Sequence, residues 1–217
     1  SAVKKYSAKA IVMLGDYDLE KPLETYLKPI IHSGTDIYWI AGNHDFDREE
    51  WNKNLFESEL RNGDLNLKVI EIFGIRIAGL SGVFKGKIWH PDTEPNFHNK
   101  KEWLSRQPSN IKKAVNKKGF PLIVQKAIWF DEVEKMKKKI RADILVSHEA
   151  PSCHRHGFSV IDDLAAAIGV KQIFHGHHHE HYIDKLSSEI EVVGVDIRAV
   201  CNLNGEQLEI SNESRKK

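Results

Sequence analysis

Apolar and polar positions along the 217-residue chain fall into short apolar runs, each broken by a compact polar turn. The runs Ala10-Ile11-Val12-Met13-Leu14, Ile37-Tyr38-Trp39-Ile40-Ala41, Ile144-Leu145-Val146 and Gln172-Ile173-Phe174 are too short for amphipathic helices and rich in β-branched and aromatic residues. They predict buried strands. Between the first two, Leu23, Tyr26, Leu27, Ile30 and Ile31 recur at a spacing of three and four, so residues 20–32 predict a helix and the segment a βαβ unit. A second helix is predicted over 48–60, with Trp51, Leu55 and Phe56 on one side. Residues 67–72 and 75–80 flank Phe73-Gly74 as a hairpin would, which makes the sheet mixed.

From Gly82 to Pro121 the periodicity dissolves into Gly, Pro, Asn, Lys and Trp, with short helical stretches near 100–106 and 111–117, and the segment reads as an insertion or lid. Residues 124–140 predict one long helix with Ile128, Val133, Met136 and Ile140 inward and the lysines of 135–139 mostly on a solvated face. A short helix over 161–168 follows. From His181 to Ile210 the alternation is that of antiparallel strands, with Asn204-Gly205 as a turn. Strands alternating with helices over this length predict an α/β fold in a single domain spanning residues 1–217.

Composition narrows the function little. With 32 basic and 31 acidic residues the net charge is +1, so no global field points to nucleic acid or an anionic membrane. No apolar run approaches the roughly 20 residues of a membrane span, and residues 1–10 lack the apolar centre of a signal peptide. Cys153 and Cys201 are too few for a disulfide framework, which suits the cytoplasm.

The chemistry lies where the four predicted strands end. Each runs into a polar segment: Gly15-Asp16, Gly42-Asn43-His44-Asp45, Ser147-His148-Glu149 and Gly176-His177-His178-His179. Strand carboxyl ends of an open α/β sheet converge on one crevice, so ligands far apart in sequence can meet there. A carboxylate such as Asp16 can bridge two cations, although Gly-Asp is also an ordinary turn. Asn43 offers an amide oxygen to a hard metal. His44 beside it is free to face a substrate, with Asp45 able to accept from its ring and fix the tautomer. His148 stands at a strand mouth. In extended backbone His177 and His179 point one way and His178 the other, so two imidazoles could reach neighbouring metals.

Gly-Asp, Gly-Asn-His-Asp, an isolated His and Gly-His-x-His, in that order, resemble the calcineurin-like metallophosphoesterase family. The resemblance spans Gly15 to His179. It implies a four-layer αββα sandwich with two mixed sheets and two divalent cations, Mn, Fe, Zn or Ni, with Mn favoured. Asp16 would bridge both, Asn43, His148 and His177 would bind one, and His179 the other. His44, oriented by Asp45, would act on the leaving oxygen of a phosphomonoester or phosphodiester, attacked by a hydroxide bridging the metals. The substrate could be a nucleotide, a nucleic acid or a small molecule; neither membrane nor oligomeric state is indicated.

The family's first motif, Asp-x-His, has no match, since no Asp or His precedes Asp16. An N-terminal strand carrying it is expected ahead of Ser1, and residues 1–8 read as the end of the helix after that strand. The gap leaves open a one-metal or non-catalytic relative acting as a binding domain. A further alternative is an RNA phosphodiesterase, because Gly79-Leu80-Ser81-Gly82 and Ser147-His148-Glu149-Ala150-Pro151 are similar to segments of the lariat-debranching branch. Other candidates are His154, Arg155 and His156 for a substrate phosphate, His90, His98, Trp89 and Trp103 in the lid, and Cys153 as a redox-sensitive thiol.

Overall fold

A computed structural model describes residues 2–210. The elements run α1 (Ala2–Tyr6), β1 (Ala10–Met13), α2 (Leu23–Ile31), β2 (Asp36–Trp39), α3 (Glu49–Phe56), β3 (Val69–Ile72) and β4 (Ile75–Leu80). Next come α4 (Lys100–Ser105), α5 (Ser109–Lys118), α6 (Leu122–Gln125) and α7 (Phe130–Lys139). The chain continues through β5 (Ile144–Ser147), α8 (Ser159–Ile168), β6 (Gln172–His175), β7 (Tyr182–Lys185), β8 (Glu191–Gly194), β9 (Ala199–Cys201) and β10 (Gln207–Ile210).

A six-stranded sheet in the order β3-β4-β5-β6-β8-β7 forms the body. Its four central strands are parallel, and the edge strands β3 and β7 are antiparallel to their neighbours. β1 and β2 form a parallel pair. The segment after α3 links this pair to the larger sheet, with Leu65 N–H bonded to Trp39 O and Leu67 N–H to Gly79 O, both at 2.9 Å. β9 and β10 make a separate antiparallel ribbon.

Period-two alternation assigns each strand's side chains to two layers. From the central strands, Ala78, Leu145, Ile173 and Val192 pack with Val133 and Met136 of α7 and Ile161, Leu164 and Ile168 of α8. The intervening residues Ile77, Ile144, Val146, Phe174 and Val193 pack against Val12, Tyr38 and Ile40 of the β1–β2 layer. On the far side of that layer, Trp39 and Ala41 meet Leu23 of α2 and Leu55 of α3. The order helix, sheet, sheet, helix is the αββα sandwich. Each fully buried aliphatic side chain in these layers contributes about 1.5–3 kcal/mol.

The long helix predicted over 124–140 is two helices. Between α6 and α7, Lys126 O accepts from Val83 N–H (2.9 Å) and Ile128 N–H donates to Val83 O (3.1 Å), so pairing with a distant strand-like segment wins over local helical periodicity. The segment 82–121 carries α4 and α5 and sends Phe84, Ile88 and Trp89 into the core beneath α7 and α8. The 181–210 region is not wholly antiparallel, because β8 also pairs in parallel with β6. No helix among the described residues is long and apolar enough to cross a membrane.

Candidate metal centre

The turns after β1, β2, β5 and β6 meet at one edge of the sandwich. Glycine makes the approach possible. A Cβ on Gly15 would stand 2.7 Å from His148 Nδ1, and one on Gly42 would collide with Asp16 Oδ1 and the His148 ring. Gly15 also sits at φ +98°. Asp16 (φ +63°) and His177 (φ +66°) hold left-handed backbone, a strained region that ligand-bearing turns often occupy.

Three donor atoms converge there. His148 Nε2 lies 3.3 Å from Asp16 Oδ2 and 3.2 Å from Asn43 Oδ1. The other ring nitrogen, Nδ1, is 2.7 Å from Leu14 O, a pure acceptor, so Nδ1 carries a proton. A proton on Nε2 points at the Asp16 carboxylate, and a divalent cation would take that proton's place among the three converging lone pairs. His177 completes the set: donor atoms of Asp16, His148 and His177 all lie within 4.8 Å of one another, and the two imidazoles are 4.8 Å apart between centroids.

The electrostatics suit ligation. Burial, the largest influence on Asp16, would raise its carboxyl, but the hydrogen bond and charge of His148 and the His44 N–H (2.8 Å) outweigh it and hold it down to about 2. Burial and the charge of His148 push the His177 imidazole down to about 4, so it presents a lone pair at neutral pH. Burial alone would lower His148, yet the Asp16 carboxylate prevails and raises it, so at this ligand a cation has to displace a proton.

Asp45 does not orient His44. Its buried carboxylate accepts the backbone N–H groups of Asp16 (2.9 Å), Tyr17 (2.8 Å) and Gly42 (2.8 Å), tying the first two ligand turns together. The carboxylate beside the His44 ring is Asp47, with Oδ2 2.6 Å from Nδ1. The cause is local geometry: residues His44–Phe46 form a 3₁₀ turn, in which residues three apart share a face. Lys126 then braces Asp47 (3.0 Å) and donates to Asn43 O (3.3 Å). An i, i+3 reading of the turn would have found Asp47 in the sequence; nothing local signals Lys126, far along the chain.

The backbone of His177–His179 is not extended. His177 and His179 are both left-handed, and this places His178 against His154, with rings stacked at 4.0 Å. His179 is exposed and belongs to none of the close donor groups among the described residues. Glu149, which the motif pattern does not single out, is 5% exposed and accepts from Phe84 N–H at 2.9 Å. Its donor atoms lie within 4.8 Å of those of His177 and His178.

Of the remaining candidates, Arg155 is exposed and paired with Glu180 at 2.9 Å, while His154 is buried. His98 pairs with Glu102 at 3.1 Å, His90 lies 3.6 Å from Asp92, and Trp89 is a core residue. Burial pushes the Cys153 thiol up, away from the reactive thiolate.

Carboxylate, amide and imidazole donors at the strand ends of an αββα sandwich make a metal-binding type of site. A model of the calcineurin-like phosphoesterase family matches residues 1–181, and the chain belongs to that family. An uncharacterized protein of Haemophilus influenzae is 33% identical over 215 residues, covering 99% of this chain and 92% of that one. A solved protein of Thermus thermophilus superimposes with a TM-score of 0.53 at 13% identity, over 89% of this chain and 79% of its own. A dimetal phosphatase from Danio rerio does so with a TM-score of 0.53 at 13% identity, over 90% and 74%. These two structures share the fold.

Proposed function

We propose that Asp16, Asn43, His148 and His177 hold a divalent cation and that the protein hydrolyses a phosphomonoester or phosphodiester beside it. The observation that carries this reading is the convergence of His148 Nε2 with Asp16 and Asn43 oxygens, the outer nitrogen of His148 being committed to Leu14 O. When bound, the cation lowers the pKa of a water and neutralises phosphate charge. Manganese is the favoured ion, since the set mixes hard oxygens with imidazole. The dimetal phosphatase of the same fold supports two cations. The free cysteines support a cytoplasmic address.

The chain's own residues do the rest. Asp45 holds the Asp16 and Gly42 turns in register. With Nδ1 against Asp47, the half-exposed His44 ring turns Nε2 outward, where it protonates the leaving oxygen or steadies phosphoryl charge. The test uses the full-length protein with Mn²⁺, assayed on bis(p-nitrophenyl) phosphate and p-nitrophenyl phosphate, whose ratio separates diesterase from monoesterase. His44→Ala is expected to lower turnover by about 10²–10⁴-fold. Wild-type turnover in that variant would remove His44 from the chemistry, and inactivity of the wild type on both esters would overturn the proposed reaction on simple esters.

A further inference from the structure

We propose that Lys85 is a specificity-determining residue that holds a second phosphate, one carried by the leaving group of the substrate; this rests on the phosphoester reaction proposed above. The segment that bears it is pinned to the site at three successive residues. Gly82 N–H donates to Ala41 O (2.8 Å) just before the Gly42–Asp45 turn, Val83 N–H donates to Lys126 O (2.9 Å), and Phe84 N–H donates to the Glu149 carboxylate (2.9 Å). Lys85 comes next and is itself fixed, its carbonyl accepting from Ile88 N–H (2.6 Å) and Trp89 N–H (2.7 Å).

The Lys85 side chain is half-buried, yet among the described residues no hydrogen bond or salt bridge engages its ammonium. The charges that face it are Lys126, Glu149 and Asp47. Both acids are already engaged: Glu149 is buried and accepts from Phe84 N–H, while Asp47 bonds His44 Nδ1 through Oδ2 (2.6 Å) and Lys126 Nζ through Oδ1 (3.0 Å). Two ammonium groups are thus held near each other, and one has no counter-ion. Burial, and after it the charge of Lys126, push the Lys85 ammonium down from its usual range, as expected for a cation held without its anion.

The location selects the ligand. Asp47 and Lys126 adjoin His44 and Asn43, and Glu149 lies close to His177, so Lys85 stands between the two sides of the candidate centre. None of its three charged neighbours is a donor of the Asp16–Asn43–His148–His177 set. A phosphoryl group beside the cation has its charge met there, which leaves Lys85 for an anion elsewhere on the substrate, and an ammonium with three N–H donors suits phosphate. The substrate class is an ester whose leaving group bears its own phosphate.

The test compares adenosine 5′-phosphate with adenosine 3′,5′-bisphosphate on the full-length chain with Mn²⁺, as kcat/KM for phosphate release and, independently of turnover, as binding by calorimetry. Wild type is expected to prefer the bisphosphate by about 10–100-fold, the range of one charge-assisted hydrogen bond. Lys85→Gln should lose that preference through KM rather than kcat, and Lys85→Arg should keep it. No preference in wild type, a preference retained in Lys85→Gln, or an equal loss on both esters would overturn the subsite. If neither ester is turned over, the proposed reaction on them fails and calorimetry decides the subsite: bisphosphate binding weakened about tenfold or more by Lys85→Gln supports it, and unchanged binding overturns it.

Discussion

Asp45 and Asp47 are two residues apart and chemically identical, yet one is buried among three backbone N–H groups and the other stands at the solvent edge beside His44. A carboxylate that orients a reacting imidazole is worth about 10–100-fold in activity. Asp47→Asn should therefore lower kcat by about that factor while zinc or manganese content stays at the wild-type value, because Asp47 touches no donor atom of the metal centre. Glu149 gives a pH prediction. Burial raises its carboxyl from 4.5 to about 7, so in metal-free protein the native state keeps a proton that the unfolded chain has already lost. The resulting stability is fully present below about pH 4.5 and disappears as pH rises through 7. Metal-stripped Glu149→Gln should match wild type in acid and exceed it at pH 8 by up to about 3 kcal/mol in urea unfolding, the shift of some 2.5 units taken at about 1.36 kcal/mol per unit.

Strands and turns carry most of the legible information. The four apolar runs are β1, β2, β5 and β6, and the Phe73-Gly74 hairpin is as the sequence implies, because period-two burial and turn chemistry are local. The single helix expected over 124–140 is broken because only the fold brings Val83 alongside 126–128. The histidine turn departs from expectation for a related reason: alternation assumes extended backbone, and His177 and His179 are left-handed. Among helices, α8 bears the clearest packing role. Ile161 is fully buried between the six-stranded sheet and α7, so Ile161→Ala should cost about 2–5 kcal/mol in denaturant unfolding without changing metal stoichiometry in the folded protein.

A metal held by the proposed donors should couple to the stability of the whole molecule, since those donors come from turns after four strands in two different layers. A ligand that binds only the native state stabilises it by about 2.7 kcal/mol at a hundred times its Kd. Saturating Mn²⁺ or Zn²⁺ should raise Tm, a chelator should lower it, and Asp16→Asn should lose much of the shift; a Tm indifferent to metal in wild type would contradict the proposed centre. Sequence by itself determined the strand set, the αββα layering through the family resemblance, and the identity of Asp16, Asn43, His148 and His177 as residues that meet, because glycine-flanked turns at strand ends are short-range patterns. Only the tertiary structure decided which carboxylate faces His44, that Lys126 braces it, and that Glu149 and His178 carry donor atoms close to His177. Those outcomes depend on 3₁₀ and left-handed turns and on contacts across layers, and no periodicity along the chain records the direction in which such a turn sends a side chain.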